Sequence, residues 1–115
     1  MNNSTAAAEQ QFSTKRIFIK DFSLEAPGGA STFTNPWDPD VTVDLDVACE
    51  LLSNDHHEVV LTLTIVVANA NSTAFMIELF QAGIFFCTGY SEQELHQILH
   101  TVCPNLLFPY ASEAV

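Results

Sequence analysis

Four segments of the chain have the composition of β-strands, and in three of them apolar and polar side chains alternate. The first runs from Lys15 to Glu25 and ends at a Pro-Gly-Gly turn, and the second is centred on Val41 to Val47. The third, His57 to Ala70, is rich in β-branched residues, and a short polar turn connects it to the fourth, Thr73 to Ala82. Four strands in succession predict an antiparallel meander or Greek-key sheet.

The first strand carries apolar residues on both faces if its alternation runs without interruption. Ile17 and Ile19 then share one face, whereas Phe18, Phe22 and Leu24 share the other. A strand with this pattern is predicted to be buried on both sides or to form an interface.

The sequence changes to a helical period at Ser91. The segment Ser91-Glu92-Gln93-Glu94 has the form of a capping box, in which the hydroxyl and the carboxylate satisfy each other's backbone amides. One apolar stripe follows at i, i+3, i+4 and i+7, formed by Leu95, Ile98, Leu99 and Val102. Pro104 is predicted to stop this helix, and Phe108-Pro109-Tyr110 to begin another. Strands followed by helices predict an α+β fold.

Length and charge narrow the classes of partner. The chain has 115 residues, of which 48% are hydrophobic, and this suffices for one core and one domain. Three Lys and Arg against fourteen Asp and Glu give a net charge of -11. This charge repels phosphate backbones and anionic membranes, so nucleic acids and lipid head groups are poor partners. It favours basic partners or positively charged unfolded chains.

Residues 1–11 are polar and are expected to be disordered, and they carry neither the basic region nor the apolar run of a signal peptide. Residues 12–115 are assigned to a single domain. Its cysteines, Cys49, Cys87 and Cys103, are an odd number without close pairs, which argues against a disulfide framework and for the reducing cytoplasm. The sequence contains no phosphate-binding glycine loop, and no run of the ~20 apolar residues that a transmembrane helix requires.

Five separated motifs occur in order along the chain. They are Arg16–Pro27, Trp37–Pro39, Asp44–Asp46, Gln81–Phe85 and Cys103–Ala111. Together these motifs resemble the SecB protein-export chaperone family. The resemblance runs from about Phe12 to Ala111 and depends on five motifs rather than on one short pattern that chance could supply.

The resemblance implies a SecB-like α+β fold, with helices packed on one face of a four-stranded antiparallel sheet. It implies a holding chaperone that uses neither ATP nor a cofactor and is not an enzyme. Such a protein binds unfolded precursor proteins in the cytoplasm, keeps them competent for translocation, and delivers them to the motor ATPase SecA. The resemblance further implies a homotetramer built as a dimer of dimers, and we place the dimer seam along the first strand.

Family members continue beyond the last motif through a long helix, a second helix and an acidic tail. Residues 12–115 are therefore expected to form a SecB-like domain that lacks these C-terminal helices, and Ser112 stands where the family usually has Arg. The alternative function is that of a SecB-like holdase for a non-export client such as a toxin–antitoxin partner.

Two sets of site residues follow. The residues that match the SecA-docking positions of the family are Asp21, Glu25, Met76 and Glu78. The aromatic candidates for an apolar client groove are Phe33, Trp37, Phe108 and Tyr110. Aromatic side chains near flexible Gly and Pro segments suit recognition of varied clients, because the binding energy comes from area rather than from specific hydrogen bonds. The competing interpretations are a solvated acidic face and ordinary core packing.

Two further alternatives involve metal or thiol chemistry. His96, His100 and Cys103 have the i, i+4, i+7 spacing of one helix side, and Cys87 is a possible fourth zinc ligand. A nucleophile formed by Cys103 with either histidine is the related thiol-enzyme hypothesis. Asp44 and Asp46, with the His56-His57-Glu58 segment nearby, could hold a metal as well. Solvated or packed side chains explain each set, so no metal is predicted.

Overall fold

Three of the four strands are longer than the sequence pattern predicted, and all four form a single sheet. The computed structural model describes residues 9–29, 36–70 and 72–115. The four strands are β1 (Gln11–Glu25), β2 (Pro39–Leu51), β3 (His56–Asn69) and β4 (Ser72–Thr88). Their order in the sheet is β1-β4-β3-β2, and all neighbouring pairs are antiparallel. The predicted antiparallel sheet is thus confirmed in its Greek-key form, with β1 and β2 at the edges.

Two tight turns connect the last three strands. Between β2 and β3, Asn54 and Asp55 adopt positive φ values of 57° and 61°, which short polar residues tolerate better than others. Between β3 and β4, Asn69 lies opposite Ser72, and Ala70 has a φ of 54°. The predicted short connection of this hairpin is confirmed. Of the predicted disordered residues 1–11, the first eight lie outside the described residues, and the last begins β1.

The helical layer begins as predicted but does not end as predicted. In the capping box, Glu94 N donates to Ser91 Oγ at 3.1 Å, and Ser91 N donates to Glu94 Oε1 at 2.9 Å. Helix α1 (Glu92–Gln97) leads into a π-helical turn (Ile98–Val102) and then into helix α2 (Cys103–Ala114). None of the described helices is long and apolar enough to cross a membrane.

Pro104 therefore does not stop the helix, and that prediction is wrong. The backbone N–H of Cys103 donates to the carbonyl of Ile98, five residues back, and this wider turn relieves the clash that a proline ring makes with a helical carbonyl. Pro104 then occupies the first turn of α2, where its missing N–H costs nothing. The segment Phe108-Pro109-Tyr110 lies inside α2 and does not begin a helix.

The helices pack on one face of the sheet, the helix face, and leave the other, the open face, without a helical layer in the described chain. The core comprises Val59, Leu61, Leu63, Leu79, Phe85, Cys87, Leu99, Cys103, Leu107 and Ala111. Gly83 lets α2 approach the sheet, because a Cβ at this position would lie 2.9 Å from Leu107 Cδ2. The helical layer thus lies close against one end of the sheet.

Two irregularities in β1 change which face its side chains occupy. The register with β4 shifts between Thr14 and Arg16 and again between Ile19 and Asp21. Because an inserted residue reverses the alternation of a strand, Phe22 and Leu24 share the helix face with Ile17 and Ile19. The prediction that these two residues share a face with Phe18 is therefore wrong.

Candidate functional site

Part of the helix face remains uncovered by the helices. Six apolar side chains on its two edge strands are 45–61% exposed, and we call them the apolar strip: Ile19, Phe22 and Leu24 on β1, with Val41, Val43 and Leu45 on β2. Across the inner strands, the positions between them are apolar as well, for example Ile65 and Ile77, which pair with each other. Contiguous apolar surface of this kind indicates a site for a partner rather than scattered exposure.

Tyr110 lies where the apolar strip meets α2. It lines a groove of about 320 Å³ between the end of α2 and β1, together with Ile17 and Ile19. Tyr110 is 52% exposed and Phe108 is 43% exposed, so neither side chain is ordinary core. The groove offers an apolar floor with a polar hydroxyl at its rim, which suits a peptide with mixed side chains.

Trp37 lies at the other end of the apolar strip. It is 50% exposed, and its neighbours hold the chain to β3: Asp38 N donates to Asn69 Oδ1 at 2.8 Å, and Asn69 Nδ2 donates to the Pro36 carbonyl at 3.2 Å. Val41, the strip residue nearest Trp37, pairs with Val67, and Ile19 lies in the row of Leu61, six residues away along β3, so the strip is about 20 Å long. Phe33 lies outside the described residues.

The four predicted docking residues all lie on the open face. Asp21 pairs with Phe80, Glu25 pairs with Met76, and Ser23 pairs with Glu78, so these side chains project from adjacent rows of β1 and β4. Asp21 and Glu25 are exposed, and Met76 and Glu78 are partly buried. Asp21 Oδ1 accepts a hydrogen bond from Phe22 N at 2.9 Å, which orients this carboxylate beside the strand.

Two further carboxylates extend this acidic surface across the sheet. Asp44 continues the row of Thr64 and Glu78, and Asp46 continues the next row, that of Thr62 and Phe80. Both aspartates are exposed. The sequence interpretation treated them as a wet face or a metal site and did not connect them with Glu78. Cross-strand register could have made this connection, because the residues share one face only when β2, β3 and β4 are aligned.

The three lysine and arginine residues of the chain all lie on β1. Arg16 lies over the Phe18 ring at 4.8 Å, and Lys15 lies over the Phe86 ring at 5.6 Å. Lys20 Nζ lies 2.7 Å from Glu58 Oε1, and this hydrogen bond is the main cause that raises the pKa of Lys20. The charge of Lys20, next to Asp21, is therefore partly offset by Glu58.

The histidines and the cysteine of the zinc hypothesis do not converge. His96 and His100 are exposed and stacked on each other with ring centroids 4.1 Å apart, whereas Cys103 is fully buried. Burial raises the pKa of the Cys103 thiol to about 12, which is the opposite of an activated nucleophile. Across residues 9–29, 36–70 and 72–115, no group of three or more His, Cys, Asp or Glu could hold a metal ion.

His100 lies instead beside another thiol. Its Nε2 is 3.7 Å from Cys49 Sγ, which is also 3.6 Å from the Leu99 carbonyl oxygen. Burial raises the pKa of Cys49, so this contact packs the helix against β2 and does not activate the sulfur.

Comparisons with known proteins agree with the fold. A family model described as preprotein translocase subunit SecB matches residues 5–115. The protein-export protein SecB of Psychrobacter arcticus is 44% identical over 108 residues, which are 94% of this chain and 72% of that protein. Those of Hahella chejuensis and Legionella pneumophila are 44% and 42% identical, over 98% and 100% of this chain and 71% of each relative.

A solved structure shares the fold at low identity. It is the Mycobacterium tuberculosis Rv1957 SecB-like chaperone, in complex with a ChAD peptide from the Rv1956 HigA1 antitoxin. The TM-score is 0.70 at 14% identity, over 90% of this chain and 78% of that one. The predicted fold class, helices on one face of a four-stranded antiparallel sheet, is confirmed.

Proposed function

This chain belongs to the SecB family, and we propose that it is an ATP-independent chaperone that holds unfolded precursor proteins in the cytoplasm and delivers them to SecA for export. The observation that carries the proposal is the apolar strip, an exposed apolar surface between Tyr110 and Trp37. This activity involves no catalysis, because the protein only has to bind apolar segments of an unfolded client that would otherwise pack against each other.

The apolar strip has the properties that a binding site for unfolded chains needs. Its length of about 20 Å matches about six residues of an extended client. Burying apolar area contributes about 25 cal/mol per Å² whatever the client sequence, so affinity need not depend on a specific motif. The net charge of -11 keeps a protein with such a surface soluble and attracts basic clients.

Two neighbouring residues of β2 allow a matched test of client holding. Val43 lies in the apolar strip and is 54% exposed, whereas Thr42 is exposed on the open face. We expect Val43→Glu to abolish most of the delay that the protein imposes on refolding of an unfolded precursor without ATP, and Thr42→Glu to preserve it. Equal delay by both variants would show that clients do not bind the apolar strip.

The open face is the surface that we propose for SecA. Glu25 pairs with the partly buried Met76, Glu78 lies two residues further along β4, and Asp21 pairs with Phe80 beyond it, so carboxylates border a small apolar contact. Asp44 and Asp46 would extend this acidic border toward β2. Such a surface suits a basic partner and steers its approach, and its charge pairs are screened over about 10 Å at 0.1 M salt.

Docking is tested with isosteric amides. We expect Asp21→Asn and Glu78→Gln each to weaken SecA binding several-fold and to reduce its dependence on salt, because each removes one charge from the contact. Glu92→Gln is the matched control, since Glu92 is exposed at the start of α1 and away from the sheet. If all three variants bind alike, SecA docks elsewhere.

We also propose that copies of the chain associate along β1 into a dimer of dimers. β1 is a 15-residue edge strand whose helix-face side chains Ile19, Phe22 and Leu24 are 45–61% exposed. An edge strand of this length is a template for pairing with a second copy.

Light scattering measures the mass of the assembly, and hydrogen exchange compares the two edge strands, β1 and β2. We expect the amides of β1 to be more protected from exchange than those of β2. Greater protection of β2 would show that the copies associate along β2 instead.

A further inference from the structure

A single inserted residue determines which face of the sheet carries the proposed docking carboxylates. Ile19 pairs with Gln81 and Asp21 pairs with Phe80, so Lys20 is left without a partner position on β4. Ile19 lies on the helix face, and uninterrupted alternation would place Asp21 and Glu25 there too. The bulge at Lys20 reverses the alternation, so both carboxylates join Glu78 on the open face.

Side chains hold this bulge from both faces of the sheet. On the helix face, Gln81 is only 2% exposed, and its Nε2 donates to the Phe18 carbonyl at 3.1 Å, two residues before the inserted Lys20. On the open face, Lys20 Nζ reaches across β4 to Glu58 Oε1 on β3, at 2.7 Å. A buried amide is retained where its hydrogen bond fixes a geometry that an apolar side chain would leave loose.

We infer that Gln81 is a positioning residue for the open face. Through its bond to the backbone of β1, it holds the Lys20 bulge in place and thereby keeps the Asp21 carboxylate where a basic partner meets it. Gln81 itself is buried on the helix face and does not reach the open face. This inference rests on the proposed docking of SecA to the open face.

The variant Gln81→Leu removes the donor and leaves the Phe18 carbonyl without this bond. We expect about a tenfold loss of SecA affinity, because the net free energy of one buried hydrogen bond corresponds to a change of about that size in a binding constant. A double-mutant cycle with Asp21→Asn separates positioning from general damage. If Gln81 acts through Asp21, Gln81→Leu should reduce SecA affinity by less than about twofold in the Asp21→Asn background. In the Glu78→Gln background, which does not depend on the bulge, the full loss remains.

Hydrogen exchange supplies a readout that needs no partner. In Gln81→Leu, the amides of Lys20 and Asp21 should exchange faster, whereas those of β2 should not change. If Gln81→Leu does not fold, Glu58→Ala removes the acceptor of Lys20 Nζ and should show a smaller loss of SecA affinity with the same coupling to Asp21.

The outcomes are distinct. Wild-type affinity in Gln81→Leu, or a loss that is undiminished in the Asp21→Asn background, would overturn the positioning role and leave the docking proposal intact. Failure of the wild-type protein to bind SecA would overturn the docking proposal and this inference with it. Unchanged amide exchange at Lys20 would show that the bulge is held without Gln81.

Discussion

Truncation of Leu107 tests how α2 is held on the sheet. The side chain is fully buried and packs above Gly83. Leu107→Ala removes three carbons, which is about 2.4 kcal/mol of transfer free energy at about 0.8 kcal/mol per carbon. A residual cavity of about 50 Å³ adds about 1.2 kcal/mol at about 24 cal/mol per Å³. The expected loss of about 3.6 kcal/mol is a large share of the 5–15 kcal/mol that a whole domain typically has.

Urea unfolding followed by far-UV circular dichroism measures this loss. With a slope of about 1.5 kcal/mol per molar, the midpoint should fall by about 2.4 M. Protein concentration must be the same for each variant, because self-association would shift the apparent stability. Leu106→Ala is the matched control, since Leu106 is 41% exposed and should lose less than about 1 kcal/mol. Similar losses in both variants would refute the packing of α2 through Leu107.

Three further expectations follow from the core. Gly83→Ala should lower the free energy of unfolding by about 1–3 kcal/mol, because the new Cβ would lie 2.7 Å from Phe85 Cε2, and an unchanged urea midpoint would contradict this contact. Cys49 should react with a thiol reagent before Cys103, whose pKa burial raises to about 12; fast labelling of Cys103 would show that α2 opens readily. Burial lowers the pKa of His57, so the unfolded chain takes up its proton first, and stability is lost as pH falls below about 6.5. Titration of stability in His57→Gln should show a shallower decline over that window, and identical curves would count against it.

The parts of the fold that could be predicted are those with a local cause. The capping box at Ser91 depends on two side chains three residues apart, and it forms as the sequence indicates. The third strand was predicted within a residue at each end, because it is rich in β-branched residues and an apolar residue occupies every second position from Val59 to Val67. The prediction that the helix ends at Pro104 was wrong, because a proline constrains one turn only and a π-helical turn can accommodate it.

Which part of the helix face remains uncovered could not be predicted from the hydrophobic pattern, for a different reason. Alternation of Val41, Val43 and Leu45 with polar residues shows which side of β2 is apolar, but it does not show what lies against that side. The lengths of the helices and strands indicate an uncovered region, which the hydrophobic period does not. The helical residues 92–114 span about 35 Å, whereas the 17 residues of β4 span about 56 Å, so one helical run could not cover the strands from end to end.

The bulge at Lys20 determines which face of β1 each of the two proposed partners would meet. Consecutive residues Asp21 and Phe22 project from opposite faces, so β1 supplies a carboxylate to the open face and an apolar side chain to the apolar strip. A client on the strip and SecA on the open face would then be separated by the thickness of the sheet, without sharing a side chain. Saturation with a precursor should therefore leave SecA bound, and handover would not require the two to compete. Displacement of SecA by the precursor in a binding titration would show instead that both use one face.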